Sequence, residues 1–100
     1  MQNRRKRCAD MAAVRAEIDA LDRAIVALLA DRLHYIDEAA RIKQSRDEVR
    51  DEARVADVLA KVEAETLRLG GNPKVIGAAY RALIEASIEH EYEAFSSSRT

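Results

Sequence analysis

Apolar side chains recur at helical spacing along most of this chain of 100 residues. In the first third they are separated by steps of three and four, which places them on one stripe of a helix. The residues of this stripe are Met11, Val14, Ile18, Leu21, Ile25 and Leu28. Asp10 is a suitable N-cap, and no Gly or Pro interrupts residues 1–69. The pattern therefore predicts a first helix that begins near Asp10 and ends near Arg46.

Two shorter helices are predicted after a polar loop at residues 44–51. The second covers residues 53–69, and its apolar stripe consists of Val55, Leu59, Val62 and Leu69. The segment Gly-Gly-Asn-Pro at residues 70–73 ends it, because Gly suits a helix C-cap and Pro cannot continue a helix. The third helix begins at or just after Pro73 and ends near Phe95. Its apolar stripe consists of Ile76, Tyr80, Leu83, Ile84, Ile88 and Phe95.

Composition supports a single all-α domain. Hydrophobic residues make up 48% of the chain and charged residues 35%, with only three Gly and one Pro, a profile typical of soluble helical proteins. We expect a flexible basic tail at residues 1–9, a helical domain at residues 10–95 and a second flexible tail at residues 96–100.

Charge and cysteine content argue against several classes of protein. A net charge of -1 carries no nucleic-acid signature, so the basic run Arg4–Arg7 is interpreted as a solvated tail. The single Cys8 cannot form an internal disulfide, which fits a reducing cytoplasm. Arg15, Glu17 and Asp19 interrupt the segment after the basic N-terminus. Neither a signal peptide nor a membrane span is therefore predicted.

Basic residues stand in the helical stripe where apolar residues are expected. After Leu28 the next step of four reaches Arg32, and the stripe continues to Lys43, eleven residues further on. Eleven residues make about three turns, so the two cations point the same way, about 16 Å apart along the helix. Burying a guanidinium without a partner costs several kcal/mol. The pattern therefore predicts a bound anion, and Arg54 in the second helix extends the cationic set.

The length of the first helix predicts an assembly. About 36 residues give a rod of about 54 Å, whereas a compact chain of this size has a radius of gyration of about 13 Å. The shorter helices cannot cover this rod, so a homodimer with paired long helices is expected. Arg15 and Arg32 are about 25 Å and 260° apart on the helix. They cannot meet at one small ligand within one chain, but Arg15 of a partner chain can reach the site.

Four segments of the sequence resemble the all-helical class of chorismate mutase. They are residues 14–22 (VRAEIDALD), 28–32 (LLADR), 40–43 (ARIK) and 49–54 (VRDEAR), and the resemblance covers roughly residues 11–95. In that family three helices per chain, one of them very long, intertwine in a homodimeric helical bundle with two active sites. The resemblance implies that Arg32, Lys43 and Arg54 are cations of one site and that Arg15 enters it from the partner chain. It also assigns Asp51, Ser87 and Glu91 to the substrate-binding site.

The reaction implied by the resemblance is the pericyclic rearrangement of chorismate to prephenate. It needs no cofactor and no metal, and His34 and His90 lack partners at metal-ligand spacing. Catalysis then rests on holding the substrate in its reactive shape and on stabilising charge at the ether oxygen. The resemblance assigns the catalytic roles to Lys43, Glu91 and Arg32, with Lys43 at the ether oxygen. The arginines suit the two substrate carboxylates, because a guanidinium fork matches carboxylate geometry.

Two positions depart from the commonest pattern of the family. Glu91 stands where many members carry Gln, and a carboxyl group can donate to the ether oxygen only when protonated. Val55 stands where mutases often carry a Glu that holds the ring hydroxyl; the related isochorismate pyruvate lyases have an apolar residue there. Asp51, by contrast, is mutase-like.

Four alternatives to a chorismate mutase follow. An isochorismate pyruvate lyase and a 4-amino-4-deoxychorismate mutase would use the same fold. A non-catalytic helical dimer that serves as a binding or regulatory module is opposed by the presence of all four cations. A nucleic-acid-binding dimer is weaker still, because acidic residues are spread along all three helices.

Overall fold

The computed structural model describes residues 5–99, so residues 1–4 and Thr100, which belong to the two predicted flexible tails, lie outside it. The chain divides into two units, one up to Arg32 and one from Leu33 onward. Helix α1 covers Met11–Ile42, a short 3₁₀ helix covers Arg46–Glu48, α2 covers Glu52–Arg68 and α3 covers Pro73–Ser97. Residues 5–99 contain no strand. The predicted all-α chain with three helices, one of them long, is confirmed.

The first unit carries the predicted cap and the predicted apolar stripe. The carboxylate of Asp10 accepts a hydrogen bond of 2.9 Å from the backbone N–H of Ala13, which confirms Asp10 as the N-cap. Apart from the half-buried Val14, the stripe remains exposed to solvent in the chain, and Leu21 and Leu28 are 62% and 67% accessible.

Helix α1 ends at Ile42, four residues before the predicted end at Arg46. Ser45 has an extended backbone, and the Glu48 carboxylate accepts hydrogen bonds from the backbone N–H groups of Gln44 and Ser45 at 3.2 and 3.1 Å. These bonds start the 3₁₀ helix instead of continuing α1. Lys43 therefore follows the helix directly, with its N–H still bonded to the Ala39 carbonyl at 3.0 Å.

The turn between α2 and α3 forms as the Gly-Gly-Asn-Pro segment predicts. Gly70 has φ of 75°, and Gly70 and Gly71 donate to the carbonyls of Leu67 and Thr66 at 3.1 and 2.9 Å. This is the Schellman arrangement, in which Gly supplies the left-handed residue after the helix. Asn72 then caps α3 by accepting from the Lys74 N–H at 2.9 Å.

The core of the second unit lies between α2 and α3. Its buried apolar residues are Ala40, Val49, Ile84, Ile88 and Phe95, and Val55, Val58 and Leu59 of α2 pack against them. Leu69 and Ile76, which the sequence placed on the apolar stripes, are 41% and 42% exposed beside the turn. Helix α3 continues to Ser97, two residues past its predicted end. Over the described residues, no helix combines the length and apolar character that crossing a membrane requires.

Candidate active site

The core of the second unit contains a charged pair. The Lys43 ammonium donates a hydrogen bond of 2.6 Å to the Glu91 carboxylate, whose side chain is only 6% exposed, against 26% for Lys43. Lys43 also donates to the Val49 carbonyl at 3.4 Å. A buried carboxylate is tolerated only when it is paired. The structure therefore brings together the two residues that the sequence assigned to the ether oxygen.

Helix α3 places Glu91 on its buried face. Buried residues recur along α3 at steps of three and four: Ile84, Ser87, Ile88, Glu91 and Phe95. Ser87, one turn before Glu91, is 6% exposed, and its hydroxyl donates to the Leu83 carbonyl at 2.7 Å. This back-bond uses the hydroxyl proton.

Asp51 and Arg54 meet at the first turn of α2. Asp51 is the N-cap of the helix and accepts a hydrogen bond of 3.1 Å from the Arg54 backbone N–H. The Arg54 guanidinium is 63% exposed and donates to the Asp57 carboxylate at 2.6 Å. Lys61 also donates to Asp57, at 3.0 Å. Hydrogen bonds from Lys61 and then Arg54 lower the pKa of Asp57.

Arg15 and Arg32 lie in the first unit, both on α1. Arg15 is exposed and Arg32 is half-buried. The other five predicted site residues, Lys43, Asp51, Arg54, Ser87 and Glu91, all lie in the second unit.

Two long-range side-chain contacts of the second unit were not predicted from the sequence. The Arg50 guanidinium donates to both oxygens of Glu85, at 2.7 and 3.2 Å, and these bonds lower the pKa of Glu85. His90, next to Glu91, lies 2.7 Å from the carboxylate of Asp37 on α1. Both pairs span more than thirty residues, so no local pattern signals them. Within residues 5–99, no group of three or more His, Cys, Asp and Glu side chains is placed to hold a metal ion.

The geometry defines a small all-helical protein. In it, a carboxylate buried on α3 is paired with a half-buried lysine. The sequence profile of the family described as chorismate mutase type II matches residues 14–92, and the chain belongs to this family. The matched segment includes all seven predicted site residues. No curated protein gives a significant match to the chain.

Proposed function

We propose that this protein is a chorismate mutase that rearranges chorismate to prephenate without a cofactor. The observation that carries the proposal is the buried pair of Lys43 and Glu91 within a chain of this family. It supplies, at one place, an ammonium donor and a carboxyl group that becomes a donor on protonation. Two donors converging on an ether oxygen stabilise the charge that develops there as the bond breaks.

Lys43 is prepared for this role in the free chain. Glu91 and the Val49 carbonyl hold its ammonium group in position beside the carboxyl group that the proposal assigns to the same oxygen. The apolar helix face and a substrate with two carboxylates favour the neutral acid at Glu91, whereas Lys43 and the arginines favour the carboxylate. We expect Glu91 to take up a proton with the ligand and to donate to the ether oxygen opposite Lys43.

The arginines serve the substrate carboxylates in this proposal. Arg32 and Arg54 act from one chain, and Arg15 is supplied by the partner chain of a homodimer. The exposed apolar stripe of α1 supports the dimer, because a second chain would cover it. Arg54 must exchange Asp57 for the ligand. The cost is small, since exposed ion pairs stabilise a protein by about 0 to 1 kcal/mol.

Ser87 and Asp51 complete the proposed site. Ser87 is buried one turn before Glu91 and serves as a further hydrogen-bonding contact to the ligand in this proposal. Asp51 fixes the first turn of α2 through the Arg54 N–H. The second carboxylate oxygen of Asp51 can accept a hydrogen bond from a ligand hydroxyl.

Val55 favours a second candidate, in which the substrate is isochorismate or the 4-amino analogue of chorismate. Val55 is half-buried and packs against the apolar core. An apolar side chain here cannot bond the ring 4-hydroxyl of chorismate. Isochorismate carries its hydroxyl elsewhere on the ring, so a lyase forming salicylate and pyruvate would not need that contact.

Incubating the purified protein separately with chorismate, isochorismate and 4-amino-4-deoxychorismate tests these proposals. We expect prephenate from chorismate, and no product from a Lys43→Ala control at equal concentration. Salicylate plus pyruvate from isochorismate would identify the lyase, and turnover of the amino analogue alone would identify the 4-amino mutase. No turnover of any of the three would favour the non-catalytic dimer.

A further inference from the structure

A distant arginine donates hydrogen bonds to two backbone carbonyls at the end of helix α1. One lies in the last turn of the helix and the other directly after it. The last four carbonyls of an α-helix have no partner within the helix. The Arg99 guanidinium donates 3.0 Å to the Ala40 carbonyl and also donates to the Lys43 carbonyl. Ala40 is 1% exposed, so its carbonyl is shielded from water while the arginine is in place. A cation at this end also interacts favourably with the helix dipole.

Arg99 is itself held in place by the end of α3. Its guanidinium carbon lies 3.9 Å from the centre of the Phe95 ring, and one of its N–H groups donates to the Ser98 hydroxyl. Phe95 is a core residue on the same helix face as Glu91. The guanidinium therefore contacts both α3, which carries Glu91, and the end of α1, which Lys43 follows.

Lys43 is consequently fixed from two sides. Its side chain is bonded to Glu91, and its backbone carbonyl is bonded to Arg99. We propose that Arg99 is a positioning residue that holds Lys43 in the geometry needed at the ether oxygen. The expected effect on kcat rests on the proposed function. The hydrogen bond from Arg99 to the Lys43 backbone can be tested without any substrate.

The test compares Arg99→Ala and Arg99→Lys with the parent chain. With chorismate, Arg99→Ala should lower kcat about tenfold while KM changes less than about twofold, because Lys43 acts in the transition state. The kcat of Arg99→Lys should lie between those of the parent and Arg99→Ala, since an ammonium group can replace only one of the two donating arms of the guanidinium. By hydrogen exchange, the Lys43 backbone amide should exchange at least about tenfold faster in Arg99→Ala.

Arg46→Ala is the matched control. Arg46 also stacks on an aromatic ring of α3, 4.4 Å from the centre of Tyr92, and bonds the Ser96 hydroxyl at 3.3 Å. These contacts with a ring and a serine hydroxyl of α3 resemble those of Arg99, but neither of them involves a carbonyl of α1. This variant should leave kcat within about twofold of the parent and should leave exchange at Lys43 unchanged.

Combining Arg99→Ala with Lys43→Gln separates positioning from a general structural role. If Arg99 acts through Lys43, Arg99→Ala should lower kcat by less than about twofold in the Lys43→Gln background. An equal loss in both backgrounds, or an unchanged kcat in Arg99→Ala, would overturn the proposal. A parent chain that does not convert chorismate would refute the proposed function instead. Exchange at Lys43 would then still decide whether Arg99 holds this residue.

Discussion

At the scale of single residues, Glu91 determines how the proposed site works. In the free chain its carboxylate accepts a hydrogen bond from Lys43, whereas at the ether oxygen it must donate one. Its place on the buried face of α3 could be predicted, because Ile84 and Ile88 precede it by seven and three residues. The bond to Lys43 could not be predicted from periodicity, since it joins residues 48 positions apart.

We predict that the pH dependence of catalysis follows Glu91. Catalytic efficiency toward chorismate should fall as the pH rises through the ionisation of Glu91, because only the neutral acid donates. Glu91→Gln keeps a donor that does not titrate, so it should flatten this fall and retain activity at higher pH. Glu91→Ala lacks this donor at every pH, so its barrier should exceed that of the protonated parent by about 2 to 4 kcal/mol.

Profiles of kcat/KM against pH for these three proteins provide the measurement. If the Gln variant reproduces the pH profile of the parent, Glu91 is not the titrating group and its assignment to the ether oxygen is wrong.

At the scale of elements, helix starts were easier to predict than the end of α1. The cap at Asp10 and the turn at residues 70–73 rest on local rules, and both are confirmed. The end of α1 was placed four residues too late because the basic and polar residues after Ile42 do not break the helical period. The spacing of Ser45 and Glu48, a capping-box signature, was the available signal.

The start of α2 is joined to α3 by the Arg50–Glu85 pair, and this pair should make stability depend on pH. The bonds from Arg50 lower the pKa of Glu85 below its ordinary value. A carboxyl group with a lowered folded-state pKa stabilises the fold above its unfolded-state pKa. That contribution is lost as the pH falls through the folded-state pKa. Glu85→Gln should therefore melt below the parent at neutral pH, and the difference should narrow as the pH falls to about 3.

Thermal melts over this pH range measure the difference in melting temperature between Glu85→Gln and the parent. Glu89→Gln is the control, because it removes one negative charge from an exposed position of α3. The stabilisation should be modest because both partners are partly exposed, with Arg50 at 36% and Glu85 at 59%. A difference between Glu85→Gln and the parent that stays constant with pH would show that the pair does not act through this ionisation.

At the scale of the whole molecule, the seven candidate site residues divide between two kinds of prediction. The cationic spacing of Arg32, Lys43 and Arg54 could be seen in the sequence, and the geometry of a long helix pointed to Arg15 of a partner chain. The family resemblance added the other three. Contacts such as Arg99 to Ala40 could not be predicted, because they join residues 59 positions apart and depend on how the helices pack.

The exposed stripe of α1 predicts that folding is coupled to dimerisation. Leu21, Ile25 and Leu28 are each at least half exposed in the chain, and a partner would remove this apolar surface from water. The melting temperature should therefore rise with protein concentration, as mass action requires for a dimer that unfolds to monomers. Sedimentation that finds a well-folded monomer at micromolar concentration would exclude the shared site.

Complementation between two inactive variants tests the central claim, a chorismate mutase site shared between two chains. Arg15→Ala and Arg32→Ala homodimers should each have little activity, because both of their sites lack one arginine. In a mixed dimer, one site has Arg32 from one chain and Arg15 from the other, while the second site lacks both.

Random exchange of subunits makes half of the dimers mixed, so the mixture should recover about a quarter of the parental conversion of chorismate to prephenate. Subunit exchange is verified by mass spectrometry with one variant isotopically labelled. We expect recovery near this level. A mixture with verified exchange that stays as inactive as its components would contradict a site shared between two chains.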